Sequence, residues 1–208
     1  MELLAHRGLW DAPAQKNSLA ALSRAIDRGL GIETDIRDLD GELVISHDMP
    51  TQREHGSLDA FLAHCARTPQ AGLLALNIKS DGLQAALESK LAEHGVANYF
   101  VFDMSLPDTL GWRRRGLPFA VRLSEYESGG PLLDEARFVW LDAFERDDWY
   151  PLELLTSLLE RGKTVAVVSP ELHRRAPEAA WRRLRGLSGQ KRLHLCTDLV
   201  QPAMEFFS

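Results

Sequence analysis

The sequence predicts an α/β fold, a single compact (β/α)8 TIM barrel spanning residues 1–208, and three observations predict it. Short apolar or β-branched runs alternate with segments of helical spacing, the pattern of parallel strands joined by crossover helices. Eight such runs can be counted, the strand number of that barrel. Polar residues stand where nearly every run ends, and in this architecture the reacting groups collect at the carboxyl ends of the strands.

The first run is LLAH (3–6), and the helical segment SLAALSRAIDRG follows it. There Leu19, Leu22, Ala25 and Ile26 fall on one face, Gly29 stops the helix, and Asn17 and Ser18 are both candidate caps. GIETDIRD (31–38) is the second strand; DGELVISHD (40–48) extends it as a hairpin through the Asp40-Gly41 turn. SLDAFLAHCAR is helical, GLLALNIKS (72–80) the third strand, and DGLQAALESKLAEHG a helix closed by Gly95. Five more strands are read at 98–105, 118–126, 137–144, 163–170 and 192–198, with helices at PDTLGWRRRG, PLELLTSLLERG and PEAAWRRLRGL. PLLDEA offers only a stub, and the carboxyl-terminal tail is short. Barrels of this kind usually have ~250 residues, so 208 leave little for insertions.

Composition removes several classes of function. With 45% hydrophobic and 26% charged residues the chain is an ordinary folded protein, without low-complexity tract or linker. A net charge of -6 supplies no general field for a polyanion, so nucleic acid is not expected as a partner. Apolar stretches are strand-sized and the opening MELLAHRG lacks a leader's basic head and apolar middle, so no transmembrane segment and a cytoplasmic location are expected. Cys65 and Cys196 form no paired motif and read as small buried hydrophobes.

Glu33 and Asp35 are two residues apart, so on a strand both carboxylates point the same way, inward if Ile32 and Ile36 face the helices. Adjacent carboxylates repel unless a cation lies between them, and a hard divalent ion such as Mg2+ or Ca2+ suits their oxygens. A solvated surface pair is the plainer reading. His6 and His47 each follow an apolar run and precede a turn, beside that pair; two imidazoles with near-neutral pKa suit general acid and base work, and packed core residues are the alternative. Asn77 and Lys79 repeat the i, i+2 geometry on the third strand, adding an oxygen ligand and a fixed positive charge. A buried lysine needs an anion, which a phosphoryl group supplies, with Arg7 and Arg122 sharing the charge; plain ion pairs, Lys79 with Asp35 or Glu33 and Arg122 with Glu125, are the alternative. Asp103 and Glu125 complete the polar residues expected to contact substrate.

The order HRG, helix, GIETDIRDLDGELVISHD, then NIK resembles the glycerophosphodiester phosphodiesterases, in the superfamily that includes phosphatidylinositol phospholipase C, and is strongest from residue 4 to 50. Later segments, among them FVFDMSLPD and WLDAFERDDW, look like those of a bacterial branch of that superfamily. The resemblance implies a (β/α)8 barrel, His6 and His47 as catalytic histidines, Glu33 and Asp35 as metal ligands, and Arg7 at the phosphate. Two residues depart from the family pattern. AQKNS replaces a P-E-N-T-like turn and puts Lys16 in the glutamate's place, and Asn77 replaces the carboxylate of an E-x-K motif. An amide oxygen still ligates Mg2+ or Ca2+ but removes one negative charge, which weakens metal binding or shifts it toward Asp103 or Glu125.

The implied activity is metal-dependent hydrolysis of a small or lipid-derived phosphodiester to an alcohol and a phosphomonoester, with the two histidines moving the protons. Which histidine is base and which acid stays open. A phospholipase D-like or cyclising lyase on a lipid or polymer diester is the alternative enzyme; Trp10, Trp149 and Tyr150, in the predicted strand-to-helix loops, would meet its bulkier group. A catalytically impaired phosphate-binding module is the alternative from outside enzymology, motivated by Lys16 and Asn77 and opposed by the retained histidines. Glycoside hydrolysis fits poorly, since Glu33 and Asp35 sit too close along one strand to flank a sugar bond at ~5–9.5 Å.

Overall fold

The structure, a computed structural model, describes residues 1–51 and 55–208. The chain divides into two compact units, Ala5–Phe119 and the combination of Met1–Leu4 with Ala120–Ser208. The mixed α/β class follows directly from the element order.

In the unit Ala5–Phe119, strand β1 (Glu2–His6) ends, and α1 (Leu19–Asp27), β2 (Gly31–Leu39), β3 (Glu42–Ile45), β4 (Gly56–Ser57) and α2 (Leu58–Arg67) follow. β5 (Leu74–Ile78), α3 (Gln84–Glu93), β6 (Tyr99–Phe102) and α4 (Leu106–Arg114) complete it. Ser18, not Asn17, caps α1, its Oγ accepting from the Ala21 N–H at 3.2 Å. The apolar stripe of α1, Ala21, Leu22, Ala25 and Ile26, is fully buried as its spacing requires. β2 and β3 pair antiparallel with Leu39 opposite Glu42, so Asp40 and Gly41 are a two-residue turn. Both have positive φ (51° and 86°), the conformation such a turn demands and Asp-Gly tolerates. β4, which adds two residues beside β3, has no counterpart in the sequence reading, being too short to show a period.

β2 is the strand that makes this unit unusual. It pairs parallel with β5, which pairs parallel with β6. Both of its faces are buried: Ile32, Thr34 and Ile36 on one, Glu33 and Asp35 on the other. Strands buried on both faces usually read as continuous apolar runs, so the two carboxylates need a reason to be there. Beyond β6 an isolated parallel bridge, Val101 to Phe119, stands where an unbroken barrel would have a ladder.

The other unit holds β7 (Ala120–Leu123), α5 (Leu132–Glu135), β8 (Phe138–Leu141), α6 (Leu152–Glu160) and β9 (Thr164–Val168). Then come α7 (Glu178–Leu184), β10 (Leu193–Thr197) and α8 (Val200–Phe207). Its strands are parallel in the order β7-β8-β9-β10. The α5 stub holds because buried Lys163 donates to the carbonyls of Leu133, Asp134 and Ala136 at 2.6–2.8 Å, satisfying its carboxyl end. The tail is more than a short end: it forms α8, whose Phe206 and Phe207 pack on Trp181 with ring centroids 5.6 and 5.8 Å away. Cys65 and Cys196 are both buried, as small hydrophobes would be. No helix among the described residues is long and apolar enough to cross a membrane.

Candidate functional site

The start of the site is the HRG turn after β1. Arg7 takes a left-handed conformation (φ 60°), which its side chain tolerates poorly, and the backbone fixes it on both sides. The Arg7 N–H donates to the Glu33 carbonyl at 2.8 Å, and the Asn17 N–H donates to the Arg7 carbonyl at 3.0 Å. Gly8 (φ 91°) lies so close to α1 that a Cβ there would fall 2.6 Å from the Ala21 carbonyl carbon, which is why only glycine fits. Asn17 (φ 61°) and Asp103 (φ 74°) are also left-handed, so three of the five non-glycine residues with positive φ among those described lie in this site. Such clustering is typical of functional sites.

Eight predicted residues share this unit, and seven of them form one chain of contacts. Glu33 and Asp35 point the same way from β2, and in the β2–β5 register Asp35 stands opposite Asn77. His6 Nε2 lies 3.8 Å from Glu33 Oε2. Arg7 Nε lies 3.0 Å from Asp35 Oδ2 and Lys79 Nζ 3.4 Å from Asp35 Oδ1, both as charge contacts off the hydrogen-bond line. Lys79 also reaches Asp103 Oδ2 at 3.6 Å, so the ion pair expected as its plain role is present, though shared between two carboxylates. The eighth, His47, stands just beyond β3. Its side chain is about half exposed, its Nδ1 pairs with Asp48 at 2.8 Å, and Arg37 Nε donates to its carbonyl at 3.1 Å. Asp48 is held below the usual carboxylate range, first by the His47 hydrogen bond and more weakly by the charges of Arg7 and Arg37.

Electrostatically the pair on β2 is unbalanced. Burial, then the neighbouring Asp35 charge, pushes Glu33 up to about 8, although Arg7, Lys79 and a hydrogen bond from Asn77 pull the other way. Glu33 Oε2, Asp35 Oδ1 and Asn77 Oδ1 are all buried without a hydrogen-bond partner. Three orphaned oxygens on adjacent strands are rare in a folded protein and form the donor set of a hard divalent cation, so Glu33, Asp35 and Asn77 fit that group. Elsewhere among the described residues, Asp59, Glu93 and His94 bring three ligand atoms within 4.8 Å of one another. Lys90 already sits 3.0 Å from Asp59 and 3.7 Å from Glu93 there.

Asn17 is the residue that sequence reasoning left as a helix cap. Its Nδ2 donates to Asp35 Oδ2 at 2.8 Å and its Oδ1 accepts from the Thr34 hydroxyl at 2.8 Å, both inside the protein. The only signal was its position in the AQKNS turn. Lys16, the departure in that turn, lies 4.6 Å above the Trp10 ring.

Arg122 and Glu125 belong to the other unit. Arg122 Nη1 is 3.6 Å from Glu127, and its guanidinium lies 5.4 Å over Phe144. Glu125 instead accepts the backbone N–H groups of Phe144, Glu145 and Arg146 at 2.9–3.0 Å. Burial pushes its carboxyl up, but those donors outweigh it and hold Glu125 at about 2.

No protein-family model matches the chain, and no curated protein matches it. Solved structures do, and they define the class of fold: it is the fold of phosphodiesterases acting on glycerophosphodiesters. A glycerophosphodiester phosphodiesterase from Parabacteroides distasonis is 16% identical with a TM-score of 0.69, over 99% of this chain and 96% of that one. One from Agrobacterium tumefaciens is 18% identical with a TM-score of 0.69, over 95% of each chain. A Ca2+-dependent phosphatidylinositol-specific phospholipase C from Streptomyces antibioticus is 12% identical with a TM-score of 0.61, over 100% and 96%.

Proposed function

We propose that the chain is a metal-dependent phosphoric diester hydrolase acting on a small or lipid-derived phosphodiester of the glycerophosphodiester kind. The observation that carries this is the trio of orphaned buried oxygens on Glu33, Asp35 and Asn77 beside two fixed cations, Arg7 and Lys79. Carboxylates alone would ask for a cation; cations beside them ask for an anion as well. A divalent cation together with a phosphate group would satisfy both. The fold shared with glycerophosphodiester phosphodiesterases supports the same reading. The closed (β/α)8 barrel of the sequence reading is corrected by the missing ladder at Val101–Phe119; the span as one domain, residues 1–208, belongs to this proposal, as does a cytoplasmic location.

In this mechanism Glu33, Asp35 and Asn77 would hold Mg2+ or Ca2+, and the ion would supply Lewis-acid polarisation of a phosphoryl oxygen. Arg7 and Lys79 bind the remaining phosphoryl oxygens and stabilise the charge that develops on them. One of His6 and His47 takes the proton of the attacking hydroxyl, from water or from the substrate, as the new P–O bond forms. The other protonates the leaving alcohol as the old P–O bond breaks. Asp48 orients the His47 ring through Nδ1, which keeps Nε2 available for the proton.

The test is turnover on a panel of glycerophosphodiesters with and without EDTA, followed by 31P NMR to distinguish cyclic from open products. EDTA should abolish turnover, and His6→Ala or His47→Ala should each cost ~10^2–10^4-fold. Full turnover in EDTA, or in both variants, would overturn the proposal.

A further inference from the structure

The carboxyl ends of β7 and β8 carry a second feature that the phosphodiester chemistry does not use. A cleft of about 390 Å3 opens there, large enough for a small organic molecule. Its floor is apolar, made by Leu123 at the end of β7, Leu133 on α5, Leu154 on α6 and Trp149 from the loop after β8. Trp149 is fixed, its Nε1 donating to the Asp142 carbonyl at 2.8 Å. The rim is the tight turn after β7, closed by paired backbone bonds between Ser124 and Glu127, with Tyr126 71% exposed at its tip. Gly129 (φ 77°) lets this loop close over the floor, since a Cβ there would meet Val121 at 2.8 Å and Leu123 at 3.0 Å.

Charge then selects among ligands. The lining contains two carboxylates, Glu125 and Glu127, and no lysine, arginine or histidine. Glu125 is held ionised by three backbone N–H groups and is used up by them. Glu127 is different: its side chain is 46% exposed at the mouth, and the Ser124 hydroxyl (3.1 Å) and Arg122 (3.6 Å) both approach one oxygen, Oε2. An apolar floor under an anionic, aromatic rim matches a short alkyl chain ending in a positive charge, because the chain fills the floor and the head meets a carboxylate and ring faces. An anion would face two carboxylates, and a wholly neutral ligand would leave the rim unmatched.

We propose that this cleft binds a primary alkylammonium compound, its alkyl chain on Leu123, Leu133, Leu154 and Trp149 and its ammonium at the Glu127 carboxylate and the Ser128 hydroxyl. The head donates three hydrogen bonds, which suits a carboxylate and a hydroxyl better than a single point contact does. This site stands apart from the phosphodiester proposal and does not depend on it.

Isothermal titration of the intact chain with pentylammonium, pentan-1-ol and pentanoate tests it. Pentylammonium should bind ~5-fold or more tightly than pentan-1-ol, pentanoate should be weakest, and the ammonium preference should shrink at high salt. Glu127→Gln, an exposed position whose fold is checked by thermal melting, should bring pentylammonium level with the alcohol, and Leu154→Ala should weaken both alike. Equal affinity for ammonium and alcohol, a preference that survives Glu127→Gln, or no binding of pentylammonium overturns the assignment. So does tightest binding of pentanoate, which would make Arg122 the recognising group.

Discussion

Asn17 shows what a single side chain does for the candidate site. Its amide donates to Asp35 and accepts from Thr34, two contacts no other neutral side chain of its size makes at once. Asn17→Ala leaves a buried carboxylate oxygen and a buried hydroxyl with fewer partners and should cost ~2–3 kcal/mol in urea denaturation. Asn17→Asp is isosteric but sets a second carboxylate where the amide stands 2.8 Å from Asp35, so it should be the more damaging of the two. A divalent cation should recover part of the stability of Asn17→Asp and less of that of Asn17→Ala, as read by melting with and without Mg2+. Equal recovery would separate Asn17 from the metal ligands.

At the scale of elements, the turn after β1 carries the most consequence per residue. Gly8→Ala should unfold the HRG turn or push α1 outward, since its Cβ meets main chain at 2.6–2.7 Å that cannot rotate away. A loss above ~2 kcal/mol, read by thermal or urea melting, is expected, because a left-handed residue and a backbone clash coincide. The strands, the hairpin and most helices were legible because each rests on a local signal: alternation, Asp-Gly at a turn, glycine at a stop. β4 was not, since two residues have no period, and neither was α8, whose helix depends on packing against Trp181 far away in sequence. The candidate site was legible where its residues share a strand, as Glu33 and Asp35 do. It was illegible where two side chains meet only through the fold, as Asn17 and Asp35 do, or where a carboxylate serves backbone donors, as Glu125 does.

The pH dependence of stability belongs to the whole molecule, and between pH 4.5 and 8 two buried groups of opposite kind shape it. Glu33, raised from 4.5 to about 8, holds a proton in the folded chain that the unfolded chain has released between those values. The folded state therefore binds more protons in that window, and its stability falls as pH rises through it. Buried His194 is pushed by desolvation, and then by the amino terminus, from 6.5 down to about 4. There the unfolded chain binds more protons, so stability falls as pH drops through that lower window, by about 3 kcal/mol in all. The two slopes oppose each other between pH 4.5 and 6.5 and separate outside it. Metal-free urea titrations should show stability declining from pH 6.5 to 8, and Glu33→Gln should flatten that limb while leaving the acid limb intact. Saturating Mg2+ or Ca2+ should flatten it too, since a bound cation favours the ionised carboxylate.

β2 has one more consequence, for the life of the chain outside the test tube. Its residues alternate between the face of Glu33 and Asp35 and the face of Ile32, Thr34 and Ile36, and both faces are buried. A slip of one residue against β5 would exchange the faces, driving two charges into the packing layer and two isoleucines into the site. A nascent chain with the wrong register would therefore be both inert and adhesive, and proteases and chaperones would remove it for its exposed grease. Sorting for solubility in the cell would then also sort for an assembled site, with no need to sense activity.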